Sequence, residues 1–260
     1  MSNFDEKWQR YKVAAFKQVS SLIKKGVFPM GHGGACNTIV MDWFRRIQKG
    51  RPTWLAHRDK ESGKVVARSE IPRDKLNKKA ERWDALQNTS KFSEDPRFGA
   101  ARPGGIEAGL AGGSVVLFSK KVNSDIKDVG REAITKMWEN RSTTAELNRF
   151  YLLSLAAASG PGHSIGLHAL PVVNENEPPR SSSTDSLVEI SHPSLNIPPN
   201  HLHLFDPNHS EWVVPKDESP EFVGEFLEHY YTGYMVPKIT SVSVIYIPVW
   251  WNTDSPSTSG

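Results

Sequence analysis

Three residues far apart in the chain have the types and settings of a nucleophile with its base and orienter. Cys36, the single cysteine, lies in Gly31-His32-Gly33-Gly34-Ala35-Cys36-Asn37. Val40, Trp43, Phe44 and Ile47 follow it at steps of four, seven, eight and eleven, one face of a helix. The dipole and the unpaired N–H groups of a helix's first turn favour thiolate over thiol. The glycines allow a sharp bend and leave room for a substrate. His163 stands in Gly160-Pro161-Gly162-His163-Ser164-Ile165-Gly166-Leu167-His168, where Gly-Pro-Gly ends a helix and His163 opens a strand. Asp206 stands in Leu204-Phe205-Asp206-Pro207-Asn208, a short strand entering a turn. A carboxylate there can accept a hydrogen bond from one imidazole nitrogen. That fixes the tautomer, so the other nitrogen takes the thiol proton.

Two competing assignments use nearby histidines. His168 is the rival base. Its offset of five from His163 puts the two on opposite faces of a strand, so only one can face the cysteine. His201, His203, Asp206 and His209 form a zinc-ligand alternative. No His-Glu-x-x-His helix or cysteine pair accompanies them, and the expectation is no metal and no cofactor.

The elements that must position these groups read as an α+β fold. A stripe of Trp8, Tyr11, Ala15, Phe16, Val19, Leu22 and Ile23 predicts a helix over about 4–24, ended by Gly26. The nucleophile helix runs to about residue 48. Residues 115–118 read as a strand and 125–138 as a helix. Residues 143–158 read as a second helix, opened by a Thr143-x-x-Glu146 capping box. Ser219-Pro220 opens another, with serine as cap and proline in the first turn. Residues 242–249 read as a buried strand. A helical layer carrying Cys36 then packs on an antiparallel sheet carrying His163 and Asp206, with the site in the cleft between them. The chain reads as one domain over 1–252. It has a basic insertion at about 50–112, a Pro/Ser/Asn-rich loop insertion at about 174–199, and a disordered polar tail at 253–260. The glycine-rich tract 104–113 is no phosphate loop, because no Gly-Lys-Ser/Thr follows. It reads as a loop or lid.

Composition supports a globular protein, with 38% hydrophobic and 10% aromatic residues among 260. One cysteine excludes an intramolecular disulfide framework and fits a reducing compartment. No apolar run reaches membrane-spanning length, and the N-terminus has no signal-peptide pattern. The net charge of +3 is uneven. Residues 45–82 hold thirteen Lys/Arg against five acids, an excess of +8. The plain reading is a solvated face, and the sharper one a docking surface for an acidic partner. No helix-turn-helix, RRM or zinc-finger pattern supports direct reading of nucleic acid.

These three contexts together resemble the YopT/AvrPphB family of papain-like cysteine protease effectors. The resemblance is carried by Gly34-Ala35-Cys36 with Met41 and Trp43, by Gly162-His163-Ser164-Ile165-Gly166-Leu167, and by Phe205-Asp206-Pro207-Asn208 with Glu211-Trp212. It implies a papain-like fold and a thiol endopeptidase with Cys36 as nucleophile, His163 as base and Asp206 as orienter. It further implies a bacterial effector or toxin, made in the bacterial cytoplasm without a signal peptide. Such a protein is delivered into a target cell by a specialised secretion system and cleaves a specific protein there. A cognate inhibitor or immunity protein is an implied partner. The same triad also serves acyltransferases and deamidases, and a relict triad would leave a binding module. Two departures stand out. The segment between His163 and Asp206 is longer than the family's hairpin. No Gln or Asn lies between Gly26 and Ala35 as an oxyanion donor, which leaves His32 or the backbone N–H of Cys36.

Overall fold

All seven residues of the strand His163–Ala169 are buried, so the sheet around it must be covered on both faces. The computed structural model describes residues 3–15, 36–48, 56–58, 65–67, 77–78, 80–81, 115–141, 149–158, 162–169, 200–233 and 238–247. Their order is α1 (Asn3–Trp8), a 3-10 turn (Gln9–Tyr11), β1 (Lys12–Ala15), α2 (Cys36–Gln48), β2 (Ala56–Arg58), β3 (Val65–Ala67) and β4 (Val115–Lys121). Then come α3 (Ile126–Arg141), β5 (Arg149–Ala157), β6 (His163–Ala169), β7 (His201–Asp206), β8 (Ser210–Pro215), α4 (Ser219–Tyr231) and β9 (Ile239–Ile247). Seven strands form one sheet in the order β1-β8-β7-β6-β5-β9-β4, every neighbouring pair antiparallel. The β2 and β3 strands pair separately within the basic segment.

Side-chain alternation divides the sheet into two faces. Leu153, Ile165, Leu167, Leu204, Trp212 and Val244 share one face with the apolar stripes of α3 and α4. On α3 that stripe is Ile126, Val129, Ala133, Ile134 and Met137; on α4 it is Phe222, Val223, Phe226, Leu227 and Tyr231. The two helices cross closely at Gly224, where an added Cβ would stand 2.7 Å from the Lys127 carbonyl oxygen. The opposite face receives α2. Its Trp43 packs on Phe205 and His203, and its Phe44 on Phe150. Gly166 makes the approach possible: a Cβ there would lie 3.0 Å from Val40 Cγ1 and 3.1 Å from the Trp43 ring. The architecture is α+β, with helices on both faces of an antiparallel sheet.

Three expectations are corrected. The helix read over 143–158 is the strand β5 from Arg149 onward, paired with β6 and β9 along its length. Buried on both faces, it shows no alternation, and a continuous apolar run of Leu and Ala imitates a helix. The capping box lies outside the described residues. The N-terminal helix stops at Trp8, and Lys12–Ala15 pairs with β8 as an edge strand. Pairing with β8 overrides the helical stripe; residues 16–35 lie outside the described set. Ser219 does not cap α4. The cap is Glu218, and the Ser219 hydroxyl instead accepts from Trp138 Nε1 at 2.9 Å and donates to the Lys216 carbonyl at 2.7 Å. The insertion 174–199, the glycine tract 104–113 and the tail 253–260 also fall outside the described residues, as does most of 50–112.

The N-terminal arm is fastened to α4. Glu225 accepts from Trp8 Nε1 at 2.7 Å and from Lys7 at 3.0 Å. Glu218 accepts from Tyr11 at 2.6 Å and Arg10 at 3.1 Å. Phe4 completes an aromatic cluster with Phe222, Phe226 and Tyr230. Among the described residues no helix is long and apolar enough to cross a membrane.

Candidate active site

The register of β6 against β7 brings two of the three sequence candidates to one end of the sheet. Gly166 pairs with Phe205 and Leu167 with Leu204. His163, first in β6, and Asp206, last in β7, therefore sit on neighbouring strands at the same end. Both point to the face that α3 and α4 cover. The third candidate opens α2, as its sequence setting predicts. All three side chains are at least nine-tenths buried.

The polar contacts form a chain. His163 Nε2 lies 2.9 Å from Asp206 Oδ1. The Cys36 thiol lies beside the imidazole and the Ser164 backbone, and both bear on its ionisation. Asp206 Oδ1 also accepts the Asn208 backbone N–H at 2.7 Å, an Asx turn across Pro207. Its Oδ2 accepts the Tyr231 hydroxyl at 2.5 Å. The Tyr231 ring stacks beside the imidazole, with centroids 5.4 Å apart. The Asn208 amide nitrogen is 3.3 Å from His163 Nδ1. Asp206 is thus held at both oxygens, and His163 is fixed by a hydrogen bond below and an aromatic ring alongside.

The electrostatics follow from these contacts. Burial alone would push the Cys36 thiol up, but the adjacent His163 charge, its hydrogen bond and the Ser164 N–H hold it below the ordinary value. Burial alone would lower His163. The Asp206 carboxylate and then the Cys36 thiolate overcome that and raise it to about 10. Burial would likewise raise Asp206, yet the imidazolium and the Tyr231 hydroxyl keep it below its ordinary value. Tyr231, buried beside that carboxylate, is held protonated as a donor, its hydroxyl well above the ordinary phenol. All three directions favour the ion pair of thiolate and imidazolium beside a carboxylate over the neutral pair.

The alternatives are separated in space. His168 is fully buried on the α2 face, stacked 4.7 Å from Phe150. His203 bonds Glu211 at 2.7 Å on that same face, whereas Asp206 points to the other, as their offset of three requires. His209 stacks on Tyr230 at 3.9 Å. The four zinc-alternative residues do not converge, and no group of three metal-ligating side chains occurs among the described residues. His32 and the rest of the glycine loop lie outside them.

Sequence reading missed Tyr231 and the Asn208 contacts. Asn208 carries a signal, since Asp-Pro-Asn favours an Asx turn. Tyr231 carries none, because it reaches the site from the end of α4, on another layer.

No protein-family model matches the chain, and no curated protein matches it in sequence. Among solved structures, the chain is similar to the Pseudomonas avirulence protein AvrPphB. Identity is 17% and the TM-score 0.48, over 93% of this chain and 99% of that one. At that identity and score the likeness establishes neither a family nor an activity for this chain.

Proposed function

We propose that this protein is a cysteine endopeptidase in which Cys36 is the nucleophile, His163 the base and Asp206 the orienter. The observation that carries the reading is the arrangement in which the Cys36 thiol lies beside His163 and His163 Nε2 lies 2.9 Å from Asp206 Oδ1. It joins residues from α2, β6 and β7 at one end of the sheet. The thiolate attacks a peptide carbonyl carbon, and the first-turn N–H groups of α2 face the developing oxyanion. Imidazolium gives its Nδ1 proton to the leaving amine, and a water activated by the neutral ring then hydrolyses the thioester. Asp206 keeps the ring in register and stabilises its charge, and no step calls for a metal or cofactor. The substrate is a protein. The three matching sequence segments support an effector or toxin, delivered by a specialised secretion system into a target cell where it cleaves a specific protein. The basic segment 45–82 suits docking to an acidic surface on that target.

The test is comparison of new protein N-termini in cells exposed to wild type and to Cys36→Ala. Termini that appear with wild type alone support the reading. Mass additions or unit shifts without new termini would replace peptidase by transferase or deamidase. Equal terminomes, with Cys36 alkylating as an ordinary thiol, would leave a relict site.

A further inference from the structure

A second buried polar cluster lies on the α2 face, away from the reacting groups. Glu211 of β8 is completely buried. Its Oε1 accepts the Trp43 indole N–H at 2.8 Å and lies 2.7 Å from His203 Nε2. Trp43 is gripped on its other sides, 4.7 Å from the His203 ring, 5.5 Å from Phe205 and hard against Gly166. An apolar residue at 211 would avoid the cost of burying a carboxylate, so packing does not account for Glu211.

We infer that Glu211 is a positioning residue for Cys36, fixing the nucleophile helix through Trp43 onto the hairpin that carries Asp206. This rests on Cys36, His163 and Asp206 being the reacting set. Trp43 is seven residues after Cys36 and so lies on the same face of α2, about 10 Å along its axis. Phe205 pairs with Glu211 and Asp206 with Ser210, which are adjacent rungs of one β7-β8 hairpin. From one face of those rungs Asp206 holds His163, and from the other Glu211 holds the helix of Cys36. A single stiff hairpin therefore sets the distance from sulfur to imidazole. The charged and titratable groups around these two contacts are His163, Asp206 and Tyr231 at the thiol, and His203 and His168 near Glu211.

The test is the pH dependence of Cys36 alkylation by iodoacetamide, with the full chain, alongside circular dichroism and thermal unfolding. Trp43→Phe keeps an aromatic ring in the stack and removes only the N–H and the second ring. Its alkylation midpoint is expected to rise toward the ordinary thiol value of 9.0. With the midpoint above neutrality, the thiolate fraction at neutral pH falls about tenfold for each unit of that rise. The greater basicity of the thiolate returns part of it, so the rate should fall about threefold per unit. Glu211→Ala should match it. Glu211→Gln, which keeps an acceptor oxygen for the indole, should stay near wild type. A Trp43→Phe protein that melts earlier but keeps the wild-type midpoint would show a purely structural contact and overturn the inference. So would a Glu211→Gln protein as displaced as Glu211→Ala. If wild type itself titrates as an ordinary thiol, the peptidase reading fails first. A depressed wild-type midpoint with unmoved variants sinks the positioning role alone.

Discussion

Replacing Gly166 by Ala perturbs the junction between the nucleophile helix and the histidine strand by a single methyl group. The new Cβ would lie 3.0 Å from Val40 Cγ1 and 3.1 Å from two carbons of the Trp43 ring. Carbon atoms pack at about 3.5–4.0 Å, so α2 must lift by roughly half an ångström or the strand must sink by as much. Neither neighbour can give way cheaply. Val40 is β-branched in a helix and has one favoured rotamer. Trp43 is bonded to Glu211 and stacked on Phe205. Over-packing of this kind costs about 1–3 kcal/mol, against which the stiffer unfolded chain of Ala returns about 0.4–1 kcal/mol. The expected net loss is therefore about 1–2 kcal/mol in urea unfolding. Cys36 lies four residues before Val40 on the same helix face, so a lifted helix carries the thiol away from His163. Misplacement by 1 Å can cost about a hundredfold in rate, and half that displacement should cost about tenfold. The double variant with Val40→Ala removes one of the clashing groups and should recover part of both losses, as a double-mutant cycle would reveal. A Gly166→Ala protein as stable and as reactive at Cys36 as wild type would refute this account of the junction.

Four further outcomes are expected. Cys36 alkylation should titrate below 9.0, and peptidase activity should fall on the alkaline side as pH passes about 10, where His163 loses its proton. The raised His163 makes its stabilising contribution in full below its ordinary value of 6.5, and that contribution is lost as pH rises toward about 10. The lowered Cys36 thiol works in the opposite sense below its ordinary 9.0, so unfolding midpoints should decline mainly between 9.0 and about 10, and Asp206→Asn should flatten that decline. Tyr231→Phe keeps the ring beside His163 but deprives Asp206 Oδ2 of its donor, which should cost about 1–3 kcal/mol of stability and bring the alkaline limb of activity to a different pH. His163→Ala should abolish turnover, whereas His168→Phe, which preserves an aromatic ring in the stack on Phe150, should retain most of it; the opposite ranking in a cleavage assay would exchange their roles.

The candidate site residues were legible because each sits in a local context that dictates its own geometry. A glycine loop before an apolar stripe gives a thiol at a helix start. Gly162-His163 opens a strand, and Asp206-Pro207-Asn208 makes a turn that needs no distant partner to form. Elements that depend on what covers them were not legible. Phe150 to Ala157 is apolar at every residue but Ser154 because helices lie on both faces, and that erases the alternation by which a strand is recognised. Lys12 to Ala15 is a strand only because β8 offers an edge. Tyr231 and Asp206, or Trp43 and Glu211, are joined by packing between layers. The spacing of 168 residues in the latter pair carries no periodic signal.

The position of β9 bears on when the candidate site is assembled. It is the last described strand in sequence, yet it lies inside the sheet, between β5 and β4. Its partners in β4 lie at least 120 residues earlier in the chain, and those in β5 at least 82. Likewise, the N-terminal arm closes on Glu218 and Glu225 of α4. Contacts of such long sequence separation form late and slowly, since loop closure must precede them. During synthesis, β4 and β5 emerge without the strand that will bridge them, and Asp206 emerges before the tyrosine that holds it. A chain interrupted before α4 and β9 would carry Cys36, His163 and Asp206 but lack the scaffold that aligns them. The candidate site is therefore assembled only once α4 and β9 are in place.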